Sequence, residues 1–337
     1  MNGFFKDKKV LIVGGTGTIG QSLLRHILPD EPTVVRVFSR DEYKQFQLQQ
    51  QYANQSNIRY LIGDVRDQAR LVRAMQDIDY VFHAAAMKHV PACEYNPFEA
   101  VQTNVLGTQN VILASLETGV RKTVFTSTDK AIAPTNTYGA SKLMAERLIS
   151  AAQYQAGASQ TKFAAVRFGN VMGSRGSVIP LFKQQIEEKR KITVTDQKMS
   201  RFMMTVDQAA ELTLKAMEYA QGGEVFVLKM PVVRLMDLTQ VIVEEMAAKL
   251  SIEASDVRIE EIGLRPGEKM YEELMTEEEA KRALELPDMF IIPNEFVHKG
   301  SYPGAVPTTL RSYESDCEEI LSEQQVRTLL QSAKLLN

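Results

Sequence analysis

The amino-acid sequence predicts an α/β fold in which a doubly wound parallel sheet carries a smaller α/β lobe. Short apolar runs alternate with amphipathic segments along the first half of the chain, a glycine-rich turn follows the first run, and the alternation becomes irregular after Gly169. Buried strands that alternate with helices are typical of parallel sheets, because the crossover helices cover both faces. We expect residues 1–169 and 202–230 to form the larger domain, and residues 170–201 and 231–337 to form the lobe.

The strands of the larger domain are expected to be β-branched or aromatic runs, since these side chains favour a buried sheet. In chain order they are Lys9–Val13, Thr33–Phe38, Ile58–Ile62, Tyr80–His83, Lys122–Ser127, Phe163–Phe168 and Val225–Leu228. Apolar residues at helical spacing predict the helices between them. These are Gln21–Leu28, Leu71–Met75, Asn104–Thr118, Tyr138–Ala152 and Val206–Tyr219. Pro29 is expected to end the first helix, because proline cannot donate the next helical hydrogen bond.

The lobe has a looser pattern of helices and short strands. Its predicted helices are Val178–Glu188, Leu238–Leu250, Glu268–Leu274, Glu277–Leu284 and Ser322–Leu336. Its predicted strands are Ile192–Thr195 and Val257–Glu261. Prolines punctuate residues 287–307, so we expect that stretch to be irregular.

The composition predicts a globular cytoplasmic protein. With 337 residues, 44% of them hydrophobic, the chain is long enough for one large domain and a lobe. A net charge of −3 without a basic run argues against nucleic acid as the main partner, although a local basic pocket for a phosphate remains allowed. No apolar run approaches the ~20 residues that span a bilayer, so we expect no membrane partner. Two cysteines, Cys93 and Cys317, and four scattered histidines fit a reducing compartment and predict no metal site.

A glycine triplet, Gly14-x-x-Gly17-x-x-Gly20, follows the first strand and opens the first helix. Glycine lets the backbone approach a pyrophosphate closely, and a helix N-terminus supplies N–H donors and positive dipole. In this context the triplet predicts a dinucleotide site. The alternative is a tight strand-to-helix turn alone.

The end of the second strand indicates which dinucleotide binds. A fold that selects NAD usually places Asp or Glu there to hold the ribose hydroxyls. Here Ser39 and Arg40 occupy that place with Lys44 nearby, and this set suits the 2′-phosphate of NADP. An ordinary solvated arginine is the other interpretation, and Asp41 lies close enough to weaken the inference.

The next two strand ends also predict ligand contacts. Asp64 follows the third strand, where its carboxylate can meet the adenine amine or cap the following helix. Ala84, Ala85 and Ala86 follow the fourth strand, and their small side chains leave room for a cofactor against the backbone. Lys88 comes next and is either a substrate contact or a surface lysine.

A reactive cluster follows the fifth strand, where open α/β sheets bind ligands. Thr128 can hydrogen-bond a reacting hydroxyl, and Asp129 and Lys130 form either a catalytic acid–base pair or a structural ion pair. Tyr138 and Lys142 have helical i, i+4 spacing and share a face. Lowering the pKa of a tyrosine from about 10 to about 7 takes roughly 4 kcal/mol of differential stabilisation. We expect Lys142 and a cationic nicotinamide ring to supply it, so that Tyr138 acts as a base.

Two segments of the second half carry groups suited to a diphosphate. Asn170-Val-Met-Gly-Ser-Arg175 combines amides with a guanidinium, and Arg265-Pro-Gly-Glu268 presents a second arginine and a carboxylate. Arginine binds pyrophosphate through paired hydrogen bonds, and a carboxylate binds a ribose diol. A turn with solvated charges is the alternative for either segment.

With these motifs in place, the chain resembles the extended short-chain dehydrogenase/reductases, a superfamily with a Rossmann-like sheet. The glycine triplet, Tyr138-x-x-x-Lys142, Asn104 in Thr-Asn-Val-Leu-Gly and Arg265-Pro-Gly-Glu268 carry the likeness. More closely, the chain to about Pro293 resembles the UDP-N-acetylglucosamine 4,6-dehydratases. Four segments carry that match: Ala84-Ala-Ala-Met-Lys-His-Val-Pro91, Glu94-Tyr-Asn-Pro97, Ser127-Thr-Asp-Lys-Ala131 and Gly169-Asn-Val-Met-Gly-Ser-Arg-Gly176. Relatives that retain configuration at C5 often have methionine at the Tyr138 position, so the tyrosine favours the C5-inverting group, which serves pseudaminic acid synthesis in bacteria.

The resemblance implies NADP as cofactor and UDP-N-acetylglucosamine as substrate. The implied cofactor contacts are Gly14, Thr16, Gly17, Thr18, Ile19, Gly20, Ser39, Arg40, Lys44, Asp64, Val65, Ala84, Ala85, Ala86, Asn104, Tyr138 and Lys142. The implied substrate contacts are Lys88, Thr128, Asn170, Ser174, Arg175, Val178, Arg201, Arg265 and Glu268. The implied catalytic residues are Thr128, Asp129, Lys130, Tyr138 and Lys142.

The resemblance also implies a reaction sequence. Tyr138, supported by Lys142, takes the C4 hydroxyl proton while hydride passes from C4 to NADP⁺. The ketone acidifies the C5 proton, which Lys130 removes, and Asp129 protonates the C6 hydroxyl, which leaves as water. Hydride then returns to C6 and a proton is delivered to C5.

Three other functions remain as alternatives. A partial dehydratase would return hydride to C4 and release a 5,6-unsaturated sugar. A C4 epimerase has no use for the Asp129–Lys130 pair, and a non-catalytic NADP-binding regulator often loses the tyrosine or lysine. As in relatives, helices Asn104–Thr118 and Tyr138–Ala152 are expected to pack in a homo-oligomer, either a dimer or a hexamer.

Overall fold

A ten-stranded, mostly parallel sheet organises the structure, a computed structural model that describes residues 3–174, 176–264, 267–296 and 300–336. Its strands and those of three small sheets are β1 (Lys9–Val13), β2 (Val34–Ser39), β3 (Ile58–Ile62), β4 (Tyr80–His83), β5 (Lys122–Thr126), β6 (Lys162–Arg167), β7 (Asn170–Val171), β8 (Lys191–Val194), β9 (Ser200–Met204), β10 (Val225–Leu228), β11 (Val232–Arg234), β12 (Arg258–Glu261), β13 (Glu273–Met275), β14 (Leu284–Glu285), β15 (Met289–Ile292), β16 (Val306–Pro307) and β17 (Tyr313–Glu314).

Helices cover this sheet and build the second half of the chain. They are α1 (Thr18–Ile27), α2 (Glu42–Gln51), α3 (Gln68–Met75), α4 (Val90–Tyr95), α5 (Pro97–Ala100), α6 (Gly107–Thr118), α7 (Thr137–Gln155), α8 (Val178–Lys189), α9 (Val206–Tyr219), α10 (Leu235–Leu250), α11 (Glu277–Ala280) and α12 (Glu323–Ser332). Within the described ranges, none of the helices is both long and apolar enough to cross a membrane.

The strand order confirms the predicted doubly wound fold. The order across the large sheet is β16–β14–β15–β10–β6–β5–β4–β1–β2–β3. All neighbours from β10 to β3 are parallel. Because the chain leaves β1 toward β2 on one side and reaches β4 on the other, a crevice forms at the carboxyl ends of these strands. Several of the sequence-predicted ligand residues, among them Ser39, Asp64 and Ala84, end or follow strands at that edge.

Three buried clusters of apolar side chains fill the interior of the described residues, and one of them packs α3 and α6 against β1 and β4. The largest cluster packs α1, α7 and α9 against the sheet, with Phe82, Phe163 and Phe226 fully buried. A separate cluster joins α8, α10 and α12, and includes Phe182 and Ile242. Met172 and Ile179 belong to this cluster, which therefore supports the residue after β7 and the start of α8.

Arg167, at the end of β6, ties the large sheet to the later part of the chain. Its side chain is fully buried, and all five N–H groups are donated to Glu146 on α7, to Glu279 on α11 and to the carbonyl of Leu274 on β13, at 2.5–3.2 Å. Burial opposes the charge on Arg167, but the two carboxylates outweigh burial and raise its pKa. A buried charge with this set of partners fixes three elements relative to one another.

Several predicted elements are wrong, and tertiary pairing explains them. Residues 268–272 are not a helix, and β13 follows them because it pairs antiparallel with β17. The helix predicted over residues 277–284 ends after one turn at Ala280. The stretch 287–307, predicted to be irregular, contains β15, which pairs antiparallel with β10 at the edge of the parallel strands. Helix α2 was not predicted at all.

The helix predicted to begin at Asn104 instead begins at Pro97. It runs through α5, a π-helical turn over Val101–Leu106, and α6. The wide turn holds Asn104, which is buried. The chain therefore inserts an irregularity at a predicted site residue, a common place for a π-turn.

Candidate active site

The glycine triplet forms a close-packed cradle at the start of α1. A Cβ on Gly14, whose φ is +87°, would lie 2.6 Å from the backbone nitrogen of Ala85, and a Cβ on Gly20 would lie 2.5 Å from the carbonyl oxygen of Gly14. Gly17 is the N-cap of α1, and the first turn, which holds Thr18, Ile19 and Gly20, carries no acidic residue. Its N–H groups and positive dipole therefore suit an anion.

The predicted selectivity residues lie at the carboxyl ends of β2 and β3. Nη1 of Arg40 is 3.5 Å from Oδ2 of Asp64, across the two strand ends. The other Asp64 oxygen accepts a hydrogen bond from the Arg66 N–H at 3.0 Å. The idea that Asp64 caps the next helix is wrong, because Asp67 is the N-cap of α3. Arg40, which is exposed, and Asp64, which is partly buried, thus form one pair at the expected edge.

Ser39 and Lys44 lie beside that pair and already have partners. The Ser39 hydroxyl accepts a hydrogen bond from Nε2 of Gln45 at 3.0 Å. Nζ of Lys44 is 2.6 Å from Oδ2 of Asp41. Both residues are placed where a ribose phosphate was predicted, and Lys44 would share its charge with Asp41.

Asn104 connects the end of β4 to α7. Its Oδ1 accepts from the Met87 N–H at 2.8 Å, and its Nδ2 donates to the Met87 carbonyl and to the Ser141 hydroxyl, both at 2.9 Å. Both amide hydrogens are therefore used inside the protein. The structure gives this predicted cofactor residue a clamping contact that holds the segment after Ala84–Ala86 against the tyrosine helix.

The reactive cluster after β5 is compact, with Thr128 and Asp129 buried and Lys130 partly exposed. Thr128 is the N-cap of a 3₁₀ turn, Asp129–Ala131, and its hydroxyl donates to Oδ1 of Asp129 at 2.6 Å. Nζ of Lys130 lies 3.1 and 3.0 Å from the two oxygens of that carboxylate. The Asp129 N–H donates to the carbonyl of Phe168 at 3.1 Å, which anchors the turn to the end of β6.

Helix α7 is seated directly on this turn. Asn136 caps it by accepting from the Gly139 N–H at 2.9 Å. A Cβ on Gly139 would overlap the carbonyl oxygen of Lys130. Because only glycine fits there, the start of the helix that carries Tyr138 is fixed against the loop that carries Lys130.

Tyr138 and Lys142 have pKa values shifted by burial. Burial raises the pKa of Tyr138 to about 12, while the Lys130 charge and a hydrogen bond with Thr128 act in the opposite direction. The leading cation at the phenol is therefore Lys130, and not Lys142 as the sequence suggested. Burial lowers the pKa of Lys142 to about 7 against the opposing charge of Glu146.

The ammonium of Lys142 points at the end of β5. Its Nζ donates to the Thr126 carbonyl at 2.6 Å and lies 3.8 Å from the centre of the Phe125 ring. The carbonyl and the ring face both stabilise its charge in a dry setting. Lys142 thus lies at the end of β5 with a pKa close to neutral pH, so its ammonium readily loses a proton.

The later part of the chain closes over this cluster. The carbonyl of Gly267, beside Glu268, accepts from the Thr135 hydroxyl at 2.8 Å, and Nζ of Lys269 donates to the carbonyl of Ile132 at 2.9 Å. Residues 267–272 therefore lie along the loop between Lys130 and α7. This segment replaces the predicted helix.

Predicted substrate residues meet on the facing side of the crevice. Nζ of Lys88 is 3.4 Å from the Ser174 hydroxyl. Nδ2 of Asn170 and Nε of Arg201 reach the two oxygens of Glu272, at 2.7 and 3.4 Å. Val178 is the first residue of α8. The predicted contacts at Arg175 and Arg265 lie outside the described residues.

Glu272 is the residue that sequence reasoning missed. Its Oε1 is 3.2 Å from Nζ of Lys130, so one ammonium contacts two carboxylates. Burial and the charge of Asp129 raise the pKa of Glu272 to about 7, against Lys130 and Arg201. Burial would raise the pKa of Asp129 too, but Lys130 outweighs it and the pKa is lowered. Glu272 fell inside a predicted helix, and nothing in the sequence indicated that its carboxylate contacts Lys130.

Comparisons with known proteins bear on this site. A family model described as polysaccharide biosynthesis protein matches residues 10–294. The X-ray structure of Pen from Bacillus thuringiensis is 58% identical, covers 99% of this chain and 100% of that one, and superposes with a TM-score of 0.94. A Campylobacter jejuni protein named UDP-N-acetylglucosamine 4,6-dehydratase (inverting) is 42% identical over 86% of this chain and 83% of its own length. A Rickettsia bellii protein named UDP-glucose 4-epimerase is 42% identical over 86% and 84%.

Proposed function

The chain belongs to the polysaccharide biosynthesis protein family, and from that premise and the geometry of the crevice we propose that it is a nicotinamide-dependent UDP-N-acetylglucosamine 4,6-dehydratase. The reaction oxidises C4 of the sugar, removes the C5 proton and expels the C6 hydroxyl as water. The product is a 4-keto-6-deoxy sugar, with inversion at C5.

One observation carries the proposal: a buried carboxylate, Asp129, holds the partly exposed ammonium of Lys130 beside Tyr138. A surface ion pair would need no such setting, and burying a carboxylate is costly unless it is paired or functional. The Asp129 side chain is 1% exposed, and both of its oxygens contact Lys130. An acid and an amine held next to a phenol are what elimination from a ketone requires.

The proton steps follow from these contacts. Tyr138 accepts the C4 hydroxyl proton, and the positive charge of Lys130 and the Thr128 hydroxyl favour its phenolate. Asp129 is ionised and Lys130 is charged, so one proton shifted along their 3.0 Å hydrogen bond yields a neutral amine and a carboxylic acid. The amine then takes the C5 proton, and the acid gives its proton to the leaving hydroxyl. The ion pair is then restored, and the proton that C5 regains when C6 is reduced comes from Tyr138, which took the C4 hydroxyl proton and so returns to the phenolate.

The residues of the glycine cradle fit a dinucleotide. At Gly14 and Gly20 a Cβ would overlap neighbouring backbone, whereas at Gly17 it would meet only the Gly14 carbonyl oxygen, at 3.2 Å, so Gly17 leaves the N-terminus of α1 open to a pyrophosphate. When bound, nicotinamide supplies the acceptor and donor of hydride. We further propose NADP over NAD, since Arg40 and Lys44 provide cations at the ribose end.

The proposed substrate rests on the family and on the facing side of the crevice. The Campylobacter relative carries the name of an enzyme acting on UDP-N-acetylglucosamine. Lys88, Ser174, Asn170 and Arg201 offer the polar groups that a nucleotide sugar needs. We propose that they bind it, with pseudaminic acid-type synthesis as the pathway that uses the product.

The name of the Rickettsia relative supports a second candidate, C4 epimerisation. An epimerase needs the tyrosine base and hydride transfer, and it leaves C5 and C6 untouched. The Asp129–Lys130 pair has no task in that reaction, so dehydration accounts for more of the site. A partial dehydratase would use the same pair and differ only in where hydride returns.

A product assay in deuterated water tests these functions together. Purified protein is incubated with NADP and UDP-N-acetylglucosamine, and the sugar is examined by proton NMR and mass spectrometry. Full dehydration gives a 6-deoxy-4-keto sugar with deuterium at C5. A 5,6-unsaturated product indicates the partial reaction, and a C4 epimer without deuterium indicates an epimerase. Unchanged substrate would refute the proposal.

Variants of the pair link the product to the site. Lys130→Ala and Asp129→Asn should each lower turnover by about 10²–10⁴-fold while dinucleotide binding persists, since positioned acid–base groups contribute that much. Lys191→Ala, which removes an exposed lysine paired with Glu260, serves as the control. Full turnover by Lys130→Ala would remove that residue from the mechanism.

We also propose a homo-oligomer that packs through α6 and α7. Several large apolar side chains on or beside these helices are exposed, among them Leu106 at 50%, Leu113 at 37% and Met144 at 54%. Exposed apolar clusters of this kind mark association surfaces. Light scattering after gel filtration should give a dimer or hexamer, and Met144→Glu should shift it toward monomer.

A further inference from the structure

The Glu272 side chain closes the reactive cluster from the side opposite to α7. Its Oε1 lies 3.2 Å from Nζ of Lys130 and 3.4 Å from Nε of Arg201, and its Oε2 accepts from Nδ2 of Asn170 at 2.7 Å. The residue is 7% exposed. A buried carboxylate is rare unless it is paired, and this one is paired with a residue of the proposed chemistry.

The backbone at Glu272 is fixed on both sides. Its N–H donates to the Ser315 hydroxyl at 2.9 Å, and the Ser315 N–H donates to the Glu272 carbonyl at 2.8 Å. The Ser315 hydroxyl also lies 2.9 Å from that of Ser200. Ser315 is fully buried. The carboxylate is therefore held in place by hydrogen bonds to groups that do not contact Lys130, as expected for a preorganised site.

Lys130 lies between two carboxylates that differ in ionisation. Burial opposes its charge, but Asp129 and Glu272 outweigh burial and raise the pKa of Lys130. Asp129 stays ionised at neutral pH, whereas Glu272, whose pKa burial and Asp129 raise to about 7, is partly protonated there. The charged or titratable groups that face this pair are Asp129, Arg201 on β9 and Tyr138 on α7.

We propose that Glu272 is a positioning residue for the proposed dehydration: it holds the Lys130 ammonium against Asp129, and its own charge sets how readily Lys130 passes its proton to Asp129. In that transfer an N–H bond of Lys130 breaks and an O–H bond of Asp129 forms, without an outside proton. An ionised Glu272 favours the charged lysine and opposes the transfer. A protonated Glu272 removes that opposition.

This inference rests on the proposed function, and it predicts a pH dependence that a structural role would not give. The rate constant kcat of Glu272→Gln, in which the neutral side chain keeps the same shape, is compared with that of the wild type at pH 6 and pH 8. The Gln variant should fold, because the carboxyl is already neutral in part at neutral pH. An opposite charge this close shifts a pKa by about 1–3 units. The ratio of kcat for Glu272→Gln to kcat for wild type should therefore rise by about fivefold or more between the two pH values, since even a one-unit effect of the Glu272 charge gives this change.

Two matched variants separate charge from packing. Glu273→Gln makes the same chemical change one residue away, on β13, and its ratio should stay flat with pH. Glu272→Asp keeps a negative charge, and its ratio should stay flat as well. A flat ratio for Glu272→Gln, or an equal rise for Glu273→Gln, would overturn the proposal.

A readout without substrate keeps this test apart from that of the proposed function. Because the pKa of Glu272 is raised in the folded chain, its contribution to stability is complete below about 4.5 and is lost as pH rises through about 7. The midpoint temperature of Glu272→Gln minus that of wild type should therefore increase between pH 5 and pH 8, and a constant difference counts against the inference. If the wild type makes no product, the proposed function fails. If it makes product and the kcat ratio is flat, only the role of Glu272 fails.

Discussion

Replacing Arg167 by methionine should destabilise the protein strongly. The change keeps the apolar part of the side chain and removes a guanidinium whose five N–H groups are all donated. Two carboxylates, Glu146 at 1% and Glu279 at 7% side-chain exposure, then lose their cation. Breaking a buried ion pair from one side costs about 3–5 kcal/mol, because the remaining charge stays buried.

That free energy converts to a measurable shift in the midpoint of thermal unfolding. With about 2.1 cal/mol/K per residue, a chain of 337 residues unfolds with an entropy of roughly 0.7 kcal/mol/K. A loss of 3–5 kcal/mol therefore lowers Tm by about 4–7 °C at pH 7. Circular dichroism or scanning calorimetry at a fixed scan rate measures it.

The loss of stability caused by Arg167→Met should depend on pH in a defined direction. Burial would raise the pKa of Glu279, but the charge and hydrogen bonds of Arg167 outweigh burial and lower it. A lowered carboxyl pKa contributes stability above about 4.5, and this stability is lost as pH falls through the folded pKa. The difference in Tm between wild type and Arg167→Met should therefore narrow below about pH 4.5.

Arg25→Met is the matched control, since Arg25 pairs with Asp207 and both side chains are more than half exposed. Exposed pairs contribute about 0–1 kcal/mol, so its Tm should change by little more than 1 °C. If Arg167→Met lowers Tm no more than Arg25→Met at pH 7, the buried network does not hold the elements together and the reasoning is refuted.

Three further predictions concern the site. Gly139→Ala should lower kcat by about 10²-fold, because its Cβ displaces the loop after β5 and small misplacements of catalytic groups are that costly. The control Ala140→Ser, at an exposed position of the same turn, should have a kcat near that of the wild type. Equal kcat values for the two variants would contradict the packing argument. The Tm of Lys142→Met should exceed that of the wild type most at pH 7, and this difference should shrink toward pH 10. The reason is that the pKa of Lys142 is lowered in the folded protein, so the wild type gains stability as pH rises from about 7 to 10.5. A Tm difference that stays constant with pH would contradict the prediction. Arg40→Ala should weaken NADP binding by about tenfold or more and leave NAD binding unchanged, as expected for one charge-assisted hydrogen bond; calorimetric titration decides, and an equal loss for both dinucleotides would show that Arg40 does not read the 2′-phosphate.

The sequence predicted the parts of the site that depend on local spacing. The glycine triplet opens α1 because the glycines are needed for close approach, and Tyr138 and Lys142 fall on one helix because of their i, i+4 spacing. The parallel strands were predicted almost to the residue, since a run of buried β-branched side chains is a strong signal. These features are encoded within a few residues of one another.

Contacts between distant segments were not predictable in the same way. Glu272 reaches Lys130 only because Ser315 and β17 hold its backbone, across 43 residues of chain. The same pairing turned an expected helix into β13. Likewise, β15 finds its place by pairing with β10, although the prolines around it indicate an irregular stretch. Tertiary hydrogen bonds decided these elements against the local pattern.

The π-helical turn at Val101–Leu106 changes the direction in which side chains point along the continuous helical segment from Pro97 to Thr118, which is called the rod below. A turn of this kind carries about one residue more than an α-helical turn, and one residue corresponds to about 100° around a helix axis. Removing a single residue there would let the rod close into uniform α-helix and rotate Asn104 by about a quarter of a circle, away from Met87 and Ser141. A one-residue deletion would thus separate the end of β4 from α7 while the rod itself stays helical. The number of residues in this segment therefore determines the shape of the cleft as much as its side chains do.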